Sequence, residues 1–239
     1  MDVTVIGAGR VGPVLARALR TAGVTTHGPL RRGERIPLAE VALLCVPDRE
    51  IRDAAAAAAG RARLIGHTSG ATPLDDVDFG LHPLQTFTGD EDAEALRGVG
   101  AAIAGRDTAA EDAARRLAET LGMRPFVLAA EHRVAYHAAA SIASNFVVTL
   151  EAAAERLAAG AMPAGQARAL LAPLVRSTVE NWATLGAASA LTGPIARGDD
   201  ATVDRQRAAV AEAAPELLDL FDVLVAHTRA LAAGRDAAP

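Results

Sequence analysis

Short apolar runs alternate with helical periodicity through the first half of the chain. Runs over residues 3–6, 24–27, 63–66, 79–82, 99–104 and 125–128 predict strands. The run 41–46 is apolar without interruption, as in a strand buried on both faces of a parallel sheet. Between these runs, 11–22, 49–59 and 109–121 carry the spacing of helices. Strands alternating with helices predict an α/β domain with a mainly parallel, doubly wound sheet.

After residue 129 the pattern changes to helical periodicity alone. Helices are predicted over 132–159, 164–185, 201–213 and 215–233, with Pro215 in a first turn, where its missing N–H costs nothing. The expected organisation is an α/β domain over 1–129 and a smaller all-α domain over 130–239. No Pro/Gly/Ser-rich linker separates them, so a shared cleft is expected, with residues 235–239 a frayed tail.

The first strand runs into Gly7-Ala8-Gly9-Arg10-Val11-Gly12, followed at once by a helix. Strand, G-x-G-x-x-G and helix in that order are the context a dinucleotide-binding Rossmann turn requires. Gly7 permits the tight turn, Gly9 lets a pyrophosphate approach the backbone, and Gly12 lets helix and strand pack closely. The helix N-terminus adds N–H groups and a positive dipole end. An NAD site usually has an acid after the second strand, but here the chain reads Thr25-Thr26-His27-Gly28-Pro29-Leu30-Arg31-Arg32. Arg31 and Arg32 suit a 2′-phosphate, because guanidinium groups form paired, charge-assisted bonds to phosphate oxygens. NADP(H) is therefore the expected cofactor.

Composition narrows the field. A net charge of −5 disfavours a nucleic-acid polyanion as the main partner. The chain has one cysteine, Cys45, inside the apolar run, where a buried strand residue is expected rather than a catalytic thiol. A reducing compartment follows, and with no signal-peptide pattern or bilayer-length apolar run the expectation is a cytoplasmic protein without a membrane partner. No HExxH, CxxC, P-loop or G-x-S-x-G spacing occurs, so no metal site is expected.

In open α/β sheets ligands lie beyond the carboxyl ends of the strands. Val46-Pro47-Asp48, His67-Thr68-Ser69-Gly70 and His82-Pro83 occupy such ends. Val46, Pro47, His67 and Ser69 join the expected cofactor contacts, and His82 is a candidate proton donor. In the first helix of the second domain, His137, Ser141 and Ser144 fall on one face with Asn145 at its margin. Helix packing around a hydrogen-bonded His137 fits that pattern as well as a catalytic face does. Trp182 is expected in the core. Arg197 can pair with Asp199 or face an anionic substrate.

The segments VIGAGRVG, LLCVPD, GHTSGA, GLHPLQTF, YHAAASIASNF and ALTGPIARGD together resemble the 6-phosphogluconate-dehydrogenase-like superfamily. Within it the chain is similar to oxidoreductases that join a Rossmann-like domain to a helical domain of unknown function. Some such proteins are linked to ketopantoate reduction, and the superfamily also holds pyrroline-5-carboxylate reductases and prephenate dehydrogenases. GLHPL resembles the prephenate dehydrogenase G-x-H-P turn, which would place His82 near substrate. The resemblance also implies a homodimer through the helical domain. Two positions depart from it. If Asn145 is the helix Asn of ketopantoate reductases, Ser141 stands where they carry a general-acid Lys, and Gln206 stands where a His is expected.

The resulting expectation is an NADP(H)-dependent oxidoreductase acting on a small carbonyl or imine, with a ketopantoate-like 2-keto acid leading. His137 or His82 would donate the proton, and Asn145 and Ser141 would orient the substrate. Two alternatives stand beside it: a non-catalytic NADP(H)-binding sensor or scaffold, and a reduced deazaflavin as hydride partner of NADP.

Overall fold

A computed structural model describes residues 1–235, so the rest of the expected tail, 236–239, lies outside the described residues. The α/β part contains β1 (Asp2–Ile6), α1 (Val11–Thr21), β2 (Thr25–Leu30), β3 (Ala39–Leu44), α2 (Ile51–Ala58) and β4 (Ala62–His67). It continues through β5 (Phe79–Pro83), β6 (Gly100–Gly105), α3 (Thr108–Thr120), β7 (Arg124–Val127) and α4 (Arg133–Ala143). The strands form one sheet in the order β2-β1-β3-β4-β5-β6-β7. Every neighbouring pair is parallel except β5 and β6, which run antiparallel.

Alternation along β3 shows why the sheet is covered twice. Val41 and Leu43 pack with Leu15 and Leu19 of α1 and Leu117 of α3. Ala42 and Leu44 point the other way, onto Ile51, Ala55 and Ala58 of α2. Successive side chains of a strand face opposite sides, so a continuously apolar strand needs helices on both. The chain leaves β1 for β2 on one side and returns to β3 on the other. That reversal is the topological switch point, where carboxyl ends of adjacent strands leave a crevice.

The chain divides into two units, Met1–Ser144 and the remainder from Asn145. The expected single helix over 132–159 is two helices. Ser144 has φ −125° and ψ −72°, outside the helical region, so α4 ends there and α5 (Asn145–Ala158) begins a new helix. As a result α4 belongs with the α/β unit, beyond the 129/130 boundary read from the pattern.

The second unit continues with α6 (Ala167–Ala190), α7 (Asp200–Ala213) and α8 (Leu218–Arg235). Gly186 (φ +75°, ψ 163°) interrupts α6. Asp199 caps α7, its carboxylate accepting from the Thr202 N–H at 3.1 Å. Hydrogen bonding from the Thr202 side chain, and then from its N–H, holds the Asp199 pKa below the usual carboxylate value, with Arg205 and Arg197 contributing less. Asp199 thus serves the helix and forms no ion pair with Arg197 among the described residues. Its neighbour Asp200 pairs with Arg229 at 2.5 Å. Neither α5 nor α6 buries a residue. Trp182, expected in the core, is 58% exposed, away from the partly covered face of α6 that carries Ala167, Leu171 and Val175. Among the described residues no helix is long and apolar enough to cross a membrane.

Candidate functional site

The glycine turn bridges the ends of β1 and β3 at the switch point. Gly7 has φ +115°, and a Cβ on it would stand 2.2 Å from the Cys45 carbonyl oxygen. A Cβ on Gly12 would lie 1.8 Å from the Gly7 oxygen, so the helix can enter only as glycine. Gly9 differs: beyond its own chain neighbours, no atom lies within 4 Å of where its Cβ would be. Two glycines serve packing and the third leaves the backbone open. α1 begins without a side-chain cap and without an acid in its first turn. Its leading N–H groups therefore suit an anion.

Two cavities meet over this turn, sharing Gly9, Cys45, Val46 and Pro47. The first, about 590 Å³, reaches from Gly7, Ala8 and Gly9 to Arg31 and Arg32 at the end of β2. The second, about 370 Å³, runs from Arg10 and Val11 past Ser69 and Gly70 to His82 and His137. All these residues belong to the α/β unit.

Acids join the arginines around the first cavity, one from just past β2 and two from beyond β3. Glu34, Glu50 and Asp53 share its lining. The Glu50 carboxylate lies 2.7 Å from the Arg32 guanidinium. Glu34 accepts the Arg31 backbone N–H at 2.9 Å. Arg31 and Arg32 are both exposed.

The residues after β4 divide by role. His67, expected at the cofactor, is fully buried and does not line either cavity. Its Nδ1 accepts the Ser69 N–H at 3.2 Å, and its Nε2 lies 3.2 Å from the Pro73 carbonyl oxygen. Both ring nitrogens are thus used to fold the loop. Burial lowers its pKa, and a neutral ring with N–H on Nε2 fits both partners. Ser69 does line the second cavity, but its hydroxyl oxygen accepts the N–H groups of Ala71 and Thr72. Cys45 is buried, and burial pushes its thiol up to about 12, so it is a packing residue and not a nucleophile.

At the far end of the second cavity, β5 presents His82 and α4 presents His137, with Tyr136 the residue before it. His82 Nδ1 lies 2.7 Å from the Tyr136 hydroxyl. The His82 and His137 rings are 6.4 Å apart between centroids. Gly70 lets them converge, because a Cβ there would stand 3.0 Å from both imidazoles, including His82 Nε2. Burial, reinforced by His137 and Arg133, lowers the His82 pKa to about 4. The ring is neutral at pH 7. Tyr136 packs edge-on between His82 and Phe126, and burial raises its pKa to about 12.

Arg133 lies one helical turn before Tyr136 and His137. It is 7% exposed, its Nε has no hydrogen-bond partner, and it forms no ion pair among the described residues. Tyr136 and Arg133 were not among the residues singled out in the sequence. Their only signal was the i, i+3 spacing on the helix that carries His137. Ser141 donates its hydroxyl back to the His137 carbonyl oxygen at 3.2 Å. Asn145, placed at the margin of that helical face by the periodicity, instead opens α5 beyond the break at Ser144.

Comparison with known proteins agrees with this architecture. The family described as "Domain of unknown function (DUF2520)" matches residues 99–228, more than half of the chain. The chain belongs to that family. No curated protein matches it. Among solved structures, a Thermotoga maritima protein, TM1727, superposes with a TM-score of 0.79 at 23% identity, covering 98% of this chain and 99% of that one. BF3122 from Bacteroides fragilis, described as a candidate NADP oxidoreductase, gives 0.78 at 22% identity, with 95% and 97% covered. Plasmodium falciparum pyrroline carboxylate reductase with NADP bound gives 0.56 at 8% identity, with 97% and 98% covered. At these identities the likeness establishes a Rossmann fold followed by a helical region.

Proposed function

We propose that this chain is an NADP(H)-dependent oxidoreductase that reduces a small carbonyl or imine. The observation that carries the reading is the pair of cavities joined at Gly9, one ending in arginines and the other in histidines. That is the shape of a dinucleotide laid across a switch point, with the reacting ring at the histidine end. The open space over Gly9 and the uncapped start of α1 fit a pyrophosphate. Arg31 and Arg32 would hold a 2′-phosphate, with Glu50 giving up its partner as the phosphate arrives. NADP bound to the Plasmodium reductase of the same fold supports this choice.

When bound, NADPH supplies the hydride. The chain's own groups do the rest. Val46 and Pro47, at the junction of the cavities, exclude water from the dinucleotide. His82 holds an imidazole at the substrate end, and His137 narrows the opening. A 2-keto acid of the ketopantoate kind leads as substrate, on the resemblance to the 6-phosphogluconate-dehydrogenase-like superfamily. A single buried thiol suits a cytoplasmic setting.

The test combines binding and turnover. NADPH should bind more tightly than NADH, and NADPH absorbance should fall in the presence of a substrate from a panel of 2-keto acids and cyclic imines. Tight NADPH binding without turnover on the whole panel would favour a sensor or scaffold instead. The observation behind that second reading is Ser141, a hydroxyl bonded to its own helix where an acidic lysine would be expected.

We also propose that the helical unit forms a homodimer. Phe146 and Val148 on α5 and Leu174, Val179, Trp182 and Leu185 on α6 are all exposed. Neither helix fully buries a residue, so both leave apolar side chains that a partner could cover. A second copy meets this need with a self-complementary patch.

A further inference from the structure

We propose that Arg133, Tyr136 and His82 form a proton relay opening into the second cavity, in which Tyr136 and Arg133 act through His82. The inference rests on the reductase reading above and concerns the source of its proton.

The relay begins with the hydrogen bond between His82 Nδ1 and the Tyr136 hydroxyl. A neutral imidazole has one N–H, so either Tyr136 donates to Nδ1 or His82 donates to the phenol oxygen. Arg133 decides between them. Burial raises the Tyr136 pKa, but the cation beside it opposes that by stabilising negative charge on the phenol oxygen, which makes the O–H the better donor of the pair to Nδ1. Nδ1 is then the acceptor and the ring proton sits on Nε2. That nitrogen faces Gly70 in the cavity and has no partner among the described residues.

The same arrangement accounts for Arg133. A guanidinium buried without a counter-ion is costly. Its counter-charge appears during the reaction. With a substrate carbonyl oxygen at Nε2, hydride addition to the carbonyl carbon moves the C–O π pair onto oxygen. That oxygen takes the Nε2 proton as Nδ1 takes the proton of Tyr136, leaving the phenolate next to Arg133. Water returns a proton to Tyr136. The net change is one hydride from reduced nicotinamide and one proton from solvent.

A histidine donating alone would need to be imidazolium. Burial, His137, Arg133 and His67 all oppose that charge, and Asp48 alone favours it. Without Tyr136, loss of the Nε2 proton would leave an imidazolate. Passing a proton to Nδ1 in the same step removes that barrier.

The test starts with the protein alone. Long-range nitrogen–proton NMR should show His82 with an unprotonated Nδ1 and a protonated Nε2. The chain has one tyrosine, so the near-ultraviolet phenolate band reports Tyr136 directly. Replacing Arg133 with Met should move that titration to higher pH, while Arg133→Lys, which keeps the charge if Met perturbs folding, should leave it close to the wild type. With NADPH and an active substrate, Tyr136→Phe should lower kcat about 100-fold or more with NADPH affinity unchanged. The residual activity, which would then need His82 as imidazolium, should decline as pH rises through the His82 value of about 4, whereas the wild type should be flat there. A protonated Nδ1, or a Tyr136 titration indifferent to the Arg133 charge, would overturn the relay while leaving NADPH binding intact. Failure of the wild type to bind NADPH would instead overturn the reductase reading and the relay's use with it.

Discussion

The Arg32 guanidinium is held 2.7 Å from the Glu50 carboxylate at the end of the first cavity where a 2′-phosphate would lie. The arginine is mostly exposed, so the pair itself adds little stability. Its importance lies in competition: the carboxylate occupies the guanidinium that a phosphate would use. Glu50→Gln should therefore tighten NADPH several-fold and leave NADH nearly unchanged. The Arg31→Ala, Arg32→Ala double variant should weaken NADPH by about 10- to 100-fold, as expected for losing one or two charge-assisted bonds. Equal affinities for both dinucleotides, unchanged by these substitutions, would rule out the 2′-phosphate assignment. Equilibrium titration following the dinucleotide's own emission measures both.

The three glycines of the turn should separate binding from folding. Gly9→Val puts its side chain into open space and should change stability by less than about 1 kcal/mol. It should nevertheless abolish detectable dinucleotide binding, because that space is where the pyrophosphate would pass. Gly12→Ala forces a Cβ into the Gly7 carbonyl and should cost about 3 kcal/mol or more. Thermal melts with and without NADPH distinguish the two outcomes. A Gly9→Val protein that still binds would remove the turn from the site.

Acid should unfold the α/β unit partly through His82. Its folded pKa of about 4 lies below the unfolded value near 6.5. Between those values the unfolded chain binds a proton that the folded chain does not, so stability falls as pH drops through that window and is unaffected above it. His67, also shifted down, adds in the same direction. His82→Gln should flatten this part of the stability–pH curve. Denaturant melts at pH 7, 5.5 and 4.5 measure the slope, and an unchanged slope would show that His82 takes up its proton as readily folded as unfolded.

The homodimer has a direct test. Trp182→Glu and Leu174→Glu each put a charge on the exposed face of the helical unit and should shift the chain from dimer to monomer in sedimentation equilibrium. A wild-type protein that sediments as a monomer at every concentration would remove the proposal.

Strands and helices of the α/β unit were legible because their cause is local. β3 announces burial on both faces by its unbroken apolar run, and Gly7, Gly9 and Gly12 by their spacing between strand and helix. The break at Ser144 was not legible. Apolar and small residues continue through it in helical period, and no proline or glycine marks the change. Lost with it was the grouping of Asn145 with His137. Two acids of the first cavity were missed for a different reason: Glu50 directly precedes α2 and Asp53 lies on it, and Glu50 meets Arg32 only because β1 stands between β2 and β3. His67 and His82 look alike in sequence, each at a strand end. The loop that follows His67 uses both nitrogens of its ring, whereas His82 keeps one facing a cavity. Tyr136 stood beside a noticed histidine, but its partner is on a strand more than fifty residues earlier.

Trp182 sits on α6, in a different unit from the glycine turn, and it is the chain's sole indole. Intrinsic fluorescence should therefore be attentive to what covers α6. Its emission should shift to shorter wavelength as protein concentration rises, making the chain's one tryptophan a gauge of assembly, while its one tyrosine reports on the proton.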